Sequence, residues 1–158
     1  MTNTNRERGF SLMELLIVVA IILIIAAIAI PKLFRSKIAA NEASAVGSLK
    51  AVNAACITYS STWNVGYPLA LNYLGPGTPT SSTGAGMIDS LLAGGAKSGY
   101  TFTYVSGAPS GGKVTTYTLS ANPAVPNQTG QRYFFTDQSG LIRQNLGGVA
   151  TSSSAPIK

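Results

Sequence analysis

The chain divides by polarity near its start. Residues 1–9, MTNTNRERG, are polar, residues 10–14 read Phe-Ser-Leu-Met-Glu, and residues 15–30 are then apolar without a break. Residues 10–30 would span about 31 Å as a helix, which matches a bilayer core. Their many β-branched Ile and Val residues weaken a helix in water. In lipid, backbone hydrogen bonds must close within the segment, so helix is the expected outcome. Past Pro31 the pattern changes. Ala45, Leu49, Val52, Cys56, Tyr59 and Trp63 recur at spacings of four and three, which predicts a helix to about residue 63 with one apolar face. Glu42, Ser44, Ser48 and Lys50 fall between them as polar positions. Pro31 lacks an N–H and is expected to bend or loosen the helix, with Gly47 a second weak point.

The rest of the chain reads differently. Residues 64–84 contain Pro68, Pro76 and Pro79 among Gly, Ser and Thr, and predict a loop pinned by Tyr67 and Tyr73. Residues 85–93 predict a short helix turning Met87, Ile88, Leu91 and Leu92 inward, stopped by Gly94-Gly95. Strands are expected at 100–105 and 114–119, joined across a Gly/Ser/Pro turn. Two more, 132–136 and 141–144, flank Asp137-Gln138-Ser139-Gly140, a good hairpin turn. The tail at 146–158, rich in Gly, Ser and Thr, is expected to be loose. The fold class is therefore α+β: a long N-terminal helix, membrane-spanning in its first half, packed by its second half on a small antiparallel sheet.

Composition narrows the function. Only 10% of residues are charged, against roughly 25% in soluble domains, so much surface is expected to lie in lipid or against neighbours. The net charge of +6 is scattered, with no Lys- or Arg-rich run, and does not predict a nucleic-acid partner. The chain has no His, one Cys and five acidic residues. That content offers no cluster for a metal and no usual base beside a nucleophile, which argues against an enzyme and against a cofactor. Cys56 has no partner for an intrachain disulfide. It reads as a small apolar residue on a helix face, with crosslinking to another subunit as the alternative. Asn127-Gln128-Thr129 matches a glycosylation sequon, a pattern short enough to arise by chance.

The N-terminal run admits more than one explanation. A cleaved secretory signal would use Ala27-Ile28-Ala29 as its small-residue site. The run is slightly long for that, Pro31 follows the site, and Glu14 interrupts the usual order. A plain anchor explains the length but leaves Glu14 unexplained. A carboxylate within a spanning helix is costly, on the order of 2.5–3.5 kcal/mol at the centre for the related Asp and less near an end. No basic residue lies between Phe10 and Pro31 to pair with it. A cut just before Phe10 would create an α-amine about one turn away, charged at neutral pH with a pKa near 8. That amine on one chain and Glu14 on the next would set the register between helices. An exposed interfacial Glu is the simpler alternative.

Gly9-Phe10-Ser11-Leu12-Met13-Glu14-Leu15, followed by the apolar helix, resembles the class III signal of type IV prepilins and of the pseudopilins of type II secretion. The resemblance implies a leader at 1–9, removed by a prepilin peptidase that cuts between Gly9 and Phe10 and methylates Phe10. It implies a long helix at 10–63 with its span at 10–30, and a head at 64–145. Phe10 and Glu14 would then serve assembly, and Pro31 stands where many type IV pilins have a helix-kinking proline. The expected partners are further copies of the chain, the peptidase, membrane lipid before assembly, an inner-membrane platform and a separate ATPase, since the chain has no phosphate-binding loop. The N-terminus would face the cytoplasm, a choice that the charges do not make: Arg6 and Arg8 flank one side, Lys32, Arg35 and Lys37 the other. The filament would be a pilus, adhesive or retractile, or a secretion pseudopilus. A monomeric membrane-tethered binding module shares the anchor and sheet, but needs neither the Gly9-Phe10 cut nor Glu14. The segments around Ser44 to Leu49 and Tyr133 to Gly140 are more loosely similar to short pilins and major pseudopilins. Some of the latter bind calcium, which Asp137 alone cannot do.

Overall fold

A computed structural model describes residues 10–78 and 80–157, so the leader at 1–9 and Pro79 of the predicted loop lie outside the described residues. The chain separates into two compact units, Met1–Ser36 and Lys37–Lys158. One element belongs to both: helix α1, Leu12–Trp63, which runs on through Pro31. Without an N–H, Pro31 leaves the carbonyl of Ala27 without its helical donor. In the first unit every described residue is exposed except Ala26, which is half-buried. Among the described residues α1 is the one helix long and apolar enough to cross a membrane.

The second unit has a conventional core. From α1 it takes Ala45, Leu49, Val52, Cys56 and Tyr59, all buried, with Trp63 partly buried beside them. The apolar face read from the spacing is therefore the face that packs. Glu42, Ser48 and Asn53, by contrast, are polar and buried on the same helix. Burial of polar groups demands hydrogen-bond partners. Asn53 finds three: its Nδ2 donates to Thr136 Oγ1 at 3.0 Å and to the Gly140 carbonyl at 3.3 Å, and its Oδ1 accepts from the Tyr117 hydroxyl at 2.9 Å. These bonds join α1 to two strands and to the turn after one of them.

The sheet has six antiparallel strands in sequence order: β1 Ala96–Lys97, β2 Tyr100–Ser106, β3 Tyr117–Pro123, β4 Arg132–Asp137, β5 Arg143–Leu146 and β6 Ala155–Pro156. Tyr100, Phe102, Tyr117, Leu119, Ala121 and Phe134 face the core, alternating with more exposed neighbours as a half-buried sheet requires. Ser98 and Gly99 join β1 to β2, both with positive φ (49° and 72°), the backbone that a two-residue hairpin turn demands. At the turn between β4 and β5, Asp137 accepts the Ser139 N–H on its side chain and the Gly140 N–H on its carbonyl, both at 2.9 Å.

Several expectations shift. The third strand begins at Tyr117 rather than 114, and Val114 instead forms a bridge with Gly66. The preceding strand sets the register: β2 pairs along its whole length with Tyr117–Pro123, which carries Ala121 into the core. The predicted helix at 85–93 shortens to α2, Ser90–Ala93, capped by Asp89, whose Oδ1 accepts the Leu92 N–H at 3.0 Å. Ile88 and Leu92 are buried as read, but Leu91 is 67% exposed, because so short a helix has no second turn to bring it inward. The loop at 64–84 includes a 3-10 turn, Leu71–Leu74, and Tyr67 meets Tyr117 edge-on with ring centroids 4.8 Å apart. The segment read as loose from 146 carries β6, and Ile157 donates its N–H to the Ile142 carbonyl at 3.0 Å.

Leu49 is wholly buried and Ile57, on the same helix, is 62% exposed. Leu49→Ala is expected to lower the stability of the second unit by about 2–5 kcal/mol, and Ile57→Ala by less than about 0.5 kcal/mol. Urea unfolding of the full chain in detergent, followed by aromatic circular dichroism, measures both.

Candidate functional site

The start of α1 is built by a small reciprocal lock. The Ser11 N–H donates to Glu14 Oε2 at 3.1 Å, and Ser11 Oγ accepts the Met13 N–H at 3.3 Å. The Leu15 N–H closes the first helical turn on the Ser11 carbonyl at 3.2 Å. Ser11 therefore acts as the N-cap and Glu14 as its partner three residues on, satisfying donors that the first turn leaves open. The Ser-Leu-Met-Glu spacing is itself the signature of such a capping box, a signal present in the sequence alone. The helix N-terminus also favours its negative charge. Glu14 Oε1 has no hydrogen-bond partner among the described residues.

Phe10 precedes the helix and is 83% exposed. Gly9 lies outside the described residues. Phe10 and Glu14 thus stand together at one helix end, while Pro31 lies within the helix, beyond the apolar run. Between Glu14 and Pro31 all twelve Leu, Ile and Val side chains are exposed. Such a continuous apolar surface far exceeds the few hundred Å² normal on soluble monomers.

A second set of polar contacts, absent from the sequence reading, fixes α1 to the sheet within the second unit. Glu42 is buried (6% exposed). Its Oε1 accepts the N–H groups of Gln131 at 2.9 Å and Arg132 at 3.1 Å, and its Oε2 accepts Arg132 Nε at 2.7 Å. Arg132 also donates to Gln144 Oε1 at 3.0 Å and lies over the Phe134 ring. Beside it, Asn41 Nδ2 donates to the Thr129 carbonyl at 2.8 Å. Burial alone would raise the Glu42 carboxyl, but the two N–H donors and the guanidinium outweigh it and hold the group below the usual carboxylate range. An acidic residue amid the polar positions of a helix gives no sign, in sequence, of a partner ninety residues away.

Cys56 is wholly buried, and burial pushes its thiol up to about 12 despite a smaller opposing effect of the nearby Tyr104 and Tyr117 hydroxyls. In the folded head it is an apolar core residue, closed to crosslinking with another subunit. Among the described residues no three His, Cys, Asp or Glu side chains converge as a metal site would need.

Because folding lowers the Glu42 pKa, its contribution is fully present above the unfolded value near 4.3 and is lost as pH falls through the folded value. Glu42→Gln is expected to cost about 1–3 kcal/mol at pH 7. It should also flatten the loss of stability below about pH 4.3. Thermal unfolding across pH 3–7 in both proteins checks the sign, and the difference between them removes the similar trend from Asp89.

Residues 4–30 match the family model described as the prokaryotic N-terminal methylation motif. No curated protein and no solved structure matches the chain. The motif belongs to precursors of filament subunits, a structural rather than catalytic family, and implies processing by a prepilin peptidase. Residues 4–30 therefore carry the class III prepilin signal, and with the long apolar helix and the α+β head the chain is consistent with the type IV pilin and pseudopilin family.

Proposed function

We propose that this chain is the subunit of a type IV pilus. The single observation that carries the reading is the apolar surface of residues 15–30, exposed on a helix that begins with the methylation motif. A surface of that kind needs lipid or like surfaces around it. The subunit would wait in the inner membrane, lose residues 1–9 by a cut between Gly9 and Phe10, receive a methyl group on the Phe10 amine, and then pack with copies of itself. The second unit would form the outer face of a filament at the bacterial surface.

Glu14 supplies the register. One carboxylate oxygen closes the capping box with Ser11, and the other is available to the charged Phe10 amine of an adjoining copy. In a site shielded from water that attraction is far stronger than at a surface. Pro31 would let the helix bend where lipid gives way to the head. Force for extraction would come from a separate ATPase acting through a membrane platform. A major pseudopilin of type II secretion would undergo the same processing. The Gly-, Ser- and Thr-rich head and the absence of a carboxylate cluster among the described residues favour the pilus.

Two substitutions separate the register role from capping and from mere anchoring. Glu14→Leu removes both the charge and the cap. Glu14→Gln keeps a side-chain oxygen for Ser11 but removes the charge. Both variants are expected to insert in the membrane and to reduce sheared surface filament at least tenfold, measured by immunoblot of sheared and membrane fractions. Normal filament yield from Glu14→Gln would reduce Glu14 to a helix cap. Normal yield from Glu14→Leu would reduce the segment to an anchor.

A further inference from the structure

We infer that Lys32 and Arg35 form a contact for the headgroups of anionic phospholipids, fixing the depth at which the unassembled subunit sits. The inference rests on the reading of residues 15–30 as a membrane span. Both side chains are exposed on α1. Spaced i and i+3, they are neighbours on its surface. Measured from Ile30, the rise of 1.5 Å per residue places them about 3 Å and 7.5 Å beyond the apolar run. That is the depth of the headgroup layer, which adds roughly 5–7 Å to each side of the hydrocarbon.

Their surroundings favour an external anion. Neither has a hydrogen bond or ion pair among the described residues. The sequence has no acidic residue between Glu14 and Glu42. Glu42 is already held by Arg132, and Asp89 by Lys97 at 2.7 Å. Leu33 and Phe34 lie between the two cations and are 70% and 60% exposed. Cations with flexible stems, at the same level of the helix as an exposed aliphatic and an exposed aromatic side chain on its other faces, suit the boundary between acyl chains and phosphates. Lipid explains all four residues together, where a purely aqueous counter-ion would explain only two.

Contact with a phosphodiester also gives a physical meaning to positive charge on both flanks of the span. On this view, Lys32 and Arg35 are anchored by lipid charge until extraction exchanges those headgroups for filament neighbours.

The test uses the full chain in neutral detergent, titrated with phosphatidylglycerol or phosphatidylcholine and read by native mass spectrometry. At low salt the anionic lipid is expected to be retained on the order of 30-fold more tightly, from about fivefold per cation, with the preference shrinking as salt rises. Lys32→Gln with Arg35→Gln should abolish the preference while both lipids still bind, and Lys32→Arg with Arg35→Lys should keep it. Inorganic phosphate at the same concentration should not displace the lipid. Equal retention of the two lipids by the native chain would overturn the inference and leave the span intact. Retention of neither would overturn the span as well. A preference surviving the double Gln change, or lost to free phosphate, would overturn the assignment to these side chains and headgroups.

Discussion

Water cannot be the final surroundings of residues 15–30. Twelve large aliphatic side chains lie exposed there on one helix, and burying each is worth about 1.5–3 kcal/mol. Their sum rivals or exceeds the roughly 5–15 kcal/mol that holds a whole domain together. None of the described residues of the first unit covers them. In the proposed function the cover is first lipid and then, in a filament, the same segment of other copies. Because the hydrophobic effect has no direction, it drives the association without choosing a register. Direction must come from polar groups, which are scarce in this half of the helix and therefore informative.

Glu14 is the polar group available for this, and in the proposed filament it would serve both the helix and its neighbour. Within the chain it completes the cap on the first turn of α1. That hydrogen bond holds the carboxylate at the helix end, which lowers the entropic cost of presenting its other oxygen to a neighbour. In the second unit the logic is repeated with a different outcome. Glu42 is also an acid on the same helix, but its oxygens are consumed by Gln131 and Arg132, so it binds the helix to the sheet. Asn53 does the same farther along through Thr136, Gly140 and Tyr117. Packing makes the core, and these polar contacts specify how α1 is seated on it.

Much of this was legible in the residues. Period and length marked the apolar run and the buried stripe from Ala45 to Tyr59, and Asp137-Gln138-Ser139-Gly140 marked its turn. What stayed hidden depended on distant partners. The buried positions of Glu42 and Asn53 follow from strands ninety and more than eighty residues away, and no local pattern announces them. The start of β3 is not legible locally: Val114 has strand propensity, whereas pairing with β2 selects Tyr117–Pro123. Two-residue strands such as β1 and β6 carry too few positions for alternation to register. The cap at Ser11 is legible from its spacing to Glu14.

The central claim is that a trimmed, methylated helix end allows the exposed apolar segment to pack against copies of itself. The most direct measurement is the mass of the N-terminal tryptic peptide, ending at Lys32, from filaments sheared off cells. The account predicts a peptide that begins at Phe10 and carries one added methyl group, recovered from polymeric material. An unmethylated peptide that begins at Gly9, which trypsin would leave by cutting after Arg8 of an untrimmed chain, from protein found only as dispersed single molecules, would contradict it.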